Sequence, residues 1–277
     1  GKDDAGARWE RDLHHFLIEV LQFRRAKWDP ATFILRRNEH VWCILCVFVD
    51  DFAAFGMPMT LLKRVEHQLN ERFNIKSDDL SLFVGVNSNR TPAGTSLHCS
   101  QLIEDAGQAL GLQPSSRAAT SPTPSSFSGF RESSLCVDTE HRKLLDQYPY
   151  RTIVGKLLYA VRGGRADVCY IVGELSRYQA NYGVYHIEVM EYLVQFLLNT
   201  ISRRLTFRSG YDTDLPLMLT FVDSSFVSDV IRGRTHWGAC FFFFGCMVAY
   251  LAKIFPTRPL SSCEGEFMGV HYAGKLA

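Results

Sequence analysis

The stretch that decides the fold is CVFVDDFAAFG, residues 46–56, in which two adjacent carboxylates, Asp50 and Asp51, interrupt an apolar run. The preceding HVWCILCVFV is rich in β-branched and aromatic side chains, which predicts a strand. The following FAAFG predicts the returning strand of a hairpin. Because a buried carboxylate is costly unless it is paired or binds a metal, two alternatives are open. The acids lie either in a turn that faces water or in a site that holds a cation.

Outward from this hairpin the apolar spacing changes several times, which predicts a mixed α+β fold. Helices are expected over residues 8–23, in PMTLLKRVEHQLNERF and QLIEDAGQALGL, and from 150 to about 199. Further strands are expected in TFILR, LSLFVGVNSNRTPAGTSLHCS, LPLMLTFVDSSF and HWGACFFFFGCMVAYLAKI, and a capped helix in SSCEGEFMGVHYAGKLA. The Ser- and Pro-rich residues 113–135 predict a flexible connector that buries no core.

Bulk properties narrow the class of protein only a little. The chain has 277 residues and a net charge of +1. Its eight cysteines are scattered, which is typical of a reduced, intracellular protein. Its longest apolar run, WGACFFFFGCMVAYLA, is shorter than the roughly 20 apolar residues that span a bilayer. No membrane partner is therefore expected, and the sequence leaves the oligomeric state open.

A resemblance to a known family adds to this reading. FVDD, residues 48–51, resembles the tyrosine-x-Asp-Asp motif of reverse transcriptases, with Phe48 in place of tyrosine. The surrounding segments resemble, in order, the Pol polyprotein of copia-type LTR retrotransposons: ARWERDLHHFLIEVLQFRRAKWDPATFI, LSLFVGVNSNRTPAGTSLHCS, YRTIVGKLLYAVRGG, FVDSSF and SSCEGEF. The resemblance covers nearly the whole chain, and its specificity comes from the ordered set of segments.

The resemblance implies four parts. Residues 1–112 would be a partial reverse-transcriptase palm with its following hairpin and helix, and residues 113–149 the connector. Residues 150–210 would be a helical connection, and residues 211–277 a truncated RNase H-like α/β domain.

The same resemblance implies roles for four carboxylates. Asp50 would ligate the catalytic Mg²⁺ or Mn²⁺, with Asp51 as its less direct catalytic neighbour. Asp223 would be the first RNase H carboxylate and Glu266 the second, both as metal ligands, with Glu264 as a weaker substitute for Glu266.

The residues alone leave a plainer alternative open. Asp223 could begin a turn with Ser224 and Ser225, and the two glutamates could favour the start of a helix through its dipole.

Two hypotheses of function follow. The first is a fragment of an RNA-directed DNA polymerase with RNase H, with an RNA template and an RNA/DNA hybrid as partners. It would be inactive alone, because the upstream palm Asp and the later RNase H carboxylates are expected outside this sequence. The alternative is a degenerate or domesticated non-catalytic nucleic-acid-binding protein, using short basic clusters at residues 24–27, 36–37 and 203–208. The non-catalytic alternative is favoured for the polypeptide as it stands, and the polymerase fragment is favoured for its ancestry. An unrelated α+β binding protein would require the ordered matches to be chance.

Overall fold

A computed structural model gives the fold of the chain and describes residues 4–37, 40–115, 120–136, 138–210, 216–229 and 233–277. The chain forms two compact units, Gly1–Ser88 and Asn89–Ala277. The boundary falls inside one strand, whereas the sequence placed its divisions after residues 112, 149 and 210. The mixture of helices and antiparallel sheets confirms the α+β class.

The first unit is a four-stranded antiparallel sheet with two helices. Its elements in chain order are α1 (Ala5–His15), a π-helical extension (Phe16–Val20), β1 (Arg24–Arg25), β2 (Thr32–Arg37), β3 (His40–Phe48), β4 (Asp51–Gly56), α2 (Met59–Phe73) and the short β5 (Leu82–Phe83). The sheet order is β1-β2-β3-β4, so each strand pairs with its sequence neighbour. The helix expected over residues 8–23 and the three long strands are confirmed. Asn38 and Glu39, in the expected turn between β2 and β3, lie outside the described residues.

The core of this unit lies between the sheet and its helices. Leu13 and Leu17 from the first helical segment, Leu45 from β3 and Leu69 from α2 are all almost fully buried in one cluster. Period-two alternation along β3 puts Cys43 and Leu45 inside and leaves Cys46 only partly buried. Burial of Cys43 and Leu45 therefore fixes which face of β3 is turned to the core, and with it the orientation of the hairpin that follows β3.

The second unit contains the helical connection and a separate three-stranded sheet. Its elements are β6 (Val86–Thr91, crossing the boundary), β7 (Gly94–His98), α3 (Ser100–Ala109), α4 (Thr139–Leu145), α5 (Tyr150–Arg162), α6 (Cys169–Ser176), α7 (Val184–Asn199), β8 (Leu205–Arg208), β9 (Met218–Asp229), β10 (Arg234–Phe243), β11 (Cys246–Ile254) and α8 (Ser262–Gly274). The antiparallel sheet has the order β11-β10-β9. These elements include the helices and strands that the sequence predicted. The sequence did not predict α4, which lies in the connector expected over residues 113–149, or β8, which lies in the expected helical connection.

One sequence expectation is wrong in the connector. Phe130 is only 2% exposed, and its ring stacks on His186 with centroids 4.1 Å apart. The composition of residues 113–135 is that of a solvated segment, but one aromatic side chain suffices to anchor it to the helices. The connector therefore contributes to the core of the second unit.

Two further expectations concern the membrane and the cysteines. Within the described ranges, no helix combines the length and the apolar character needed to cross a bilayer. All eight cysteines are free thiols, as expected for a reduced protein.

Candidate functional site

The Asp50–Asp51 pair lies at the tip of the β3–β4 hairpin. β3 ends at Phe48, which pairs with Asp51, so Val49 and Asp50 form a two-residue turn. Both carboxylates are exposed, and no side chain in the described part of the chain pairs with either. The structure thus places the acids in a water-facing turn, where their oxygens are accessible to a cation.

The turn carries local backbone strain. Val49 has φ +56°, in the left-handed region, which is unfavourable for a β-branched residue. Such a conformation costs on the order of 1–3 kcal/mol and persists only where surrounding contacts hold it. One of those contacts is Trp9, whose indole Nε1–H donates to the Val49 carbonyl oxygen at 3.0 Å.

Trp9 is a positioning residue that lies within the helix expected over residues 8–23, and the sequence indicated no further role for it. Its ring packs edge-on against Phe73 of α2, with centroids 5.0 Å apart, which fixes the direction of the N–H. Only a general rule could have identified this role from the sequence: the N–H of a largely buried indole usually donates to a hydrogen-bond acceptor. Both helices of the unit therefore help to hold the tip.

A cleft of about 370 Å³ lies beside the tip, lined by residues that include Trp9, Val49 and Arg25. Arg25 donates through Nε to the Pro30 carbonyl oxygen at 2.6 Å and lies 3.9 Å from the Glu10 carboxylate. Burial, together with Arg25, lowers the pKa of the neighbouring His14, while Glu10 opposes the shift. The cleft thus has a neutral imidazole and a largely balanced charge next to the acidic turn.

In the second unit, alternation along β9 separates the two predicted RNase H carboxylates. Val222 and Ser224 face α8: a Cβ at Gly269 would lie 2.9 Å from Val222 Cγ1, so only glycine permits this close approach. The Ser224 hydroxyl donates to the Glu266 carboxylate at 2.9 Å. Asp223 lies between these residues and therefore points to the other face of the sheet.

Asp223 lines a separate cleft of about 320 Å³, together with Ser225, Ser228 and His236. It pairs in register with Gly238, so no side chain stands opposite it on β10. The structure therefore places Asp223 and Glu266 on different faces of the strand and does not bring them to one ligand site.

Glu264, the substitute for Glu266, is used by the helix itself. Ser261 is the N-cap of α8, and its hydroxyl accepts from the Glu264 backbone N–H at 3.1 Å. The Glu264 carboxylate in turn accepts from the Leu260 N–H at 2.6 Å. Glu264 therefore supports the start of α8. The turn that the plainer alternative expected at Asp223, Ser224 and Ser225 is wrong, because these residues lie within β9.

A buried polar network next to the Asp223 cleft was missed by sequence reasoning. Glu174 of α6 and Asp229 of β9 are each 4% exposed, and Arg177 bonds to both, reaching Asp229 at 2.8 Å. His236 of β10 lies 2.8 Å from Glu174 through Nε2 and 2.7 Å from the Ser228 hydroxyl through Nδ1. The network ties α6 to two strands of the sheet and gives the cleft a rigid wall.

Comparison with known proteins shows which class of protein the chain is similar to. The chain is 25% identical over 279 residues to the retrovirus-related Pol polyprotein from transposon TNT 1-94 of Nicotiana tabacum, covering 99% of the chain and 20% of that protein. It is 28% identical over 217 residues to the corresponding polyprotein from transposon RE1 of Arabidopsis thaliana, covering 76% of the chain and 14% of the relative. It is 27% identical over 172 residues to a putative transposon Ty5-1 protein of Saccharomyces cerevisiae, covering 60% of the chain and 52% of the relative.

The resemblance to copia-type retrotransposon Pol polyproteins is therefore confirmed, at modest identity and over most of the chain. The chain spans about a fifth of the TNT 1-94 polyprotein and about a seventh of RE1. No family model matches the chain, and no solved structure matches it.

Proposed function

We propose that the chain corresponds to the later part of a reverse-transcriptase palm joined to the first part of an RNase H-like domain, and that it is inactive alone. The observation that carries the proposal is the exposed Asp50–Asp51 pair on a tight turn between two antiparallel strands. The order of elements after it, a helical connection and then a three-stranded sheet with α8, supports the same assignment. RNA template and RNA/DNA hybrid are the partners that this assignment implies.

Within the part of the chain that the structure describes, the carboxylates do not make a complete metal centre. Carboxylate oxygens are the ligands that Mg²⁺ and Mn²⁺ prefer, so Asp50 and Asp51 are chemically suitable. However, two-metal phosphoryl transfer needs ligands for two cations about 3.5–4 Å apart. Among the described residues, no cluster of three or more His, Cys, Asp or Glu side chains could hold a metal ion.

A second candidate function is a non-catalytic nucleic-acid-binding protein. The placement of Asp223 and Glu266 on different faces of β9 favours it, because an RNase H-like centre needs its carboxylates together. The two candidate functions differ in the role of the carboxylates, and in both the ligand is a nucleic acid.

The experiment supplies the purified chain with an RNA template annealed to a DNA primer, in Mg²⁺ or Mn²⁺. The wild type and the Asp50→Asn and Asp223→Asn variants are compared for binding, primer extension and cleavage of the hybrid. The proposal expects binding at low salt in all three and no extension or cleavage. Extension that Asp50→Asn abolishes, or hybrid cleavage that Asp223→Asn abolishes, would overturn the claim of inactivity. Absence of binding at low salt would overturn both candidate functions.

A further inference from the structure

A basic groove lies in the first unit, away from the Asp50–Asp51 turn. It has a volume of about 540 Å³, and its floor is apolar, formed by Leu35, Leu61 and Val65. Its rim carries four arginines, Arg24, Arg36, Arg37 and Arg64.

The groove is at the opposite end of the sheet from the acids. Arg36 pairs with Val41, near the start of β3, whereas the acidic turn follows Phe48 at its end. A strand rises roughly 3.3 Å per residue, so the two features lie about 23 Å apart along β3.

Three separate elements bring the arginines together. Arg24 comes from β1 and Arg36 from the neighbouring β2, whose strands pair in register. Arg64 comes from α2, where it is exposed at the edge of the helical face that buries Leu61 and Val65 in the core. Burial of that face fixes the side of the helix from which Arg64 projects, so the convergence of charge is built into the fold.

Within the described ranges, these arginines have no acidic partner of the kind that Arg25 has in the same unit. No acidic residue is among the described residues that line the groove. The guanidinium groups of Arg24, Arg36 and Arg64 form no ion pair or side-chain hydrogen bond with any residue that the structure describes, and Arg37 lies over the Trp42 ring at 5.4 Å. Arg25, next in the chain to Arg24, instead faces Glu10 and the Pro30 carbonyl.

We propose that this groove binds the phosphate groups of a nucleic-acid strand. Guanidinium groups present paired N–H donors that match phosphate oxygens, and convergent like charges without counter-charges favour an anionic ligand. The groove volume lies within the range of about 300–1,000 Å³ typical of ligand sites. A free phosphate-bearing ligand offers the same oxyanion chemistry, so the test includes it. The groove needs neither the acidic turn nor a metal ion. The inference rests on the proposed function, in which the ligand is a nucleic acid, and it names the surface that would hold that ligand.

The test measures binding of a fluorescein-labelled oligothymidylate to the full chain by fluorescence anisotropy, in EDTA, over a series of salt concentrations. The variant is Arg36→Ala with Arg64→Ala. The control is Lys63→Ala with Lys76→Ala, which removes the same charge from exposed positions outside the groove, one of them adjacent to Arg64 on α2. Circular dichroism confirms that each variant is folded.

Each phosphate contact on a single strand contributes about 0.7 to the slope of log K against log salt concentration. Loss of two contacts is expected to reduce the slope by about 1.4 and to weaken binding about 25-fold at 0.1 M salt. The lysine control is expected to match the wild type. Equal slopes and affinities for the arginine and lysine variants would overturn the proposal.

A competition arm distinguishes the two sources of phosphate. Inorganic pyrophosphate at the same phosphate concentration is expected to displace the oligonucleotide poorly, because a strand engages several arginines at once. If pyrophosphate displaces the oligonucleotide at equal phosphate concentration, and this displacement requires Arg36 and Arg64, the groove is a site for free phosphates. That result would overturn the assignment to a strand. Because EDTA is present, a negative result here leaves the metal-dependent tests of the acidic turn unaffected.

Discussion

Replacement of Arg177 by methionine tests the buried network that supports the Asp223 cleft. Methionine preserves much of the volume of the side chain but removes the Arg177 cation from Glu174 and Asp229, whose side chains are 6% and 2% exposed. His236 still lies 2.8 Å from Glu174 in the variant's starting geometry. Removal of one partner from a buried ion pair costs about 3–5 kcal/mol. At about 2–4 °C per kcal/mol for a unit of this size, the melting temperature should fall by about 6–20 °C.

The assay is urea unfolding, monitored by hydrogen exchange in peptides from α6 and β10. These peptides report on the second unit alone. The matched control is Arg203→Met: Arg203 is 54% exposed and lies 3.3 Å from Asp167, and an exposed pair of this kind contributes under about 1 kcal/mol. A triple variant, Arg177→Met with Glu174→Gln and Asp229→Asn, should recover much of the lost stability, because it removes the unpaired charges.

A loss of stability equal to that of Arg203→Met would refute the reasoning.

Three further predictions concern other parts of the chain. Val49→Gly should raise the free energy of unfolding of the first unit by up to about 1 kcal/mol in urea titrations, because glycine tolerates φ +56°; a decrease would contradict the strained turn. Burial lowers the pKa of His186 to about 4, so the unfolded chain binds a proton that the folded one does not. Stability should therefore fall between pH about 6.5 and about 4, by up to about 3 kcal/mol, and His186→Phe should remove this dependence; an unchanged pH profile would contradict it. Phe221, on the edge strand β9, is 61% exposed, so Phe221→Lys should reduce aggregation of the chain in light scattering; a monodisperse wild type at high concentration would contradict this prediction.

The sequence predicted the elements well because each has a strong local signal. The apolar run of β3, the alternating segments of β10 and β11, and the Ser261 cap of α8 all depend on neighbours in the chain. The resemblance to Pol polyproteins then followed from their order.

The contacts that shape the candidate site could not be predicted in the same way. The bond from Trp9 to Val49 joins residues forty positions apart, and the pair Glu174–His236 joins residues sixty-two positions apart. Convergence of Arg24, Arg36 and Arg64 likewise depends on how β1, β2 and α2 pack. The face to which Asp223 points follows from the register of β9 against α8, which local spacing does not specify.

The most direct test of the central claim is calorimetric titration of the chain with Mn²⁺ and Mg²⁺, comparing the wild type with Asp50→Asn and Asp223→Asn. An incomplete site of one or two carboxylates is expected to bind no tighter than the millimolar range, with the weak binding reduced in Asp50→Asn. Asp223→Asn should leave that binding unchanged. Micromolar binding that either substitution abolishes would show a complete, preformed metal centre and contradict the account.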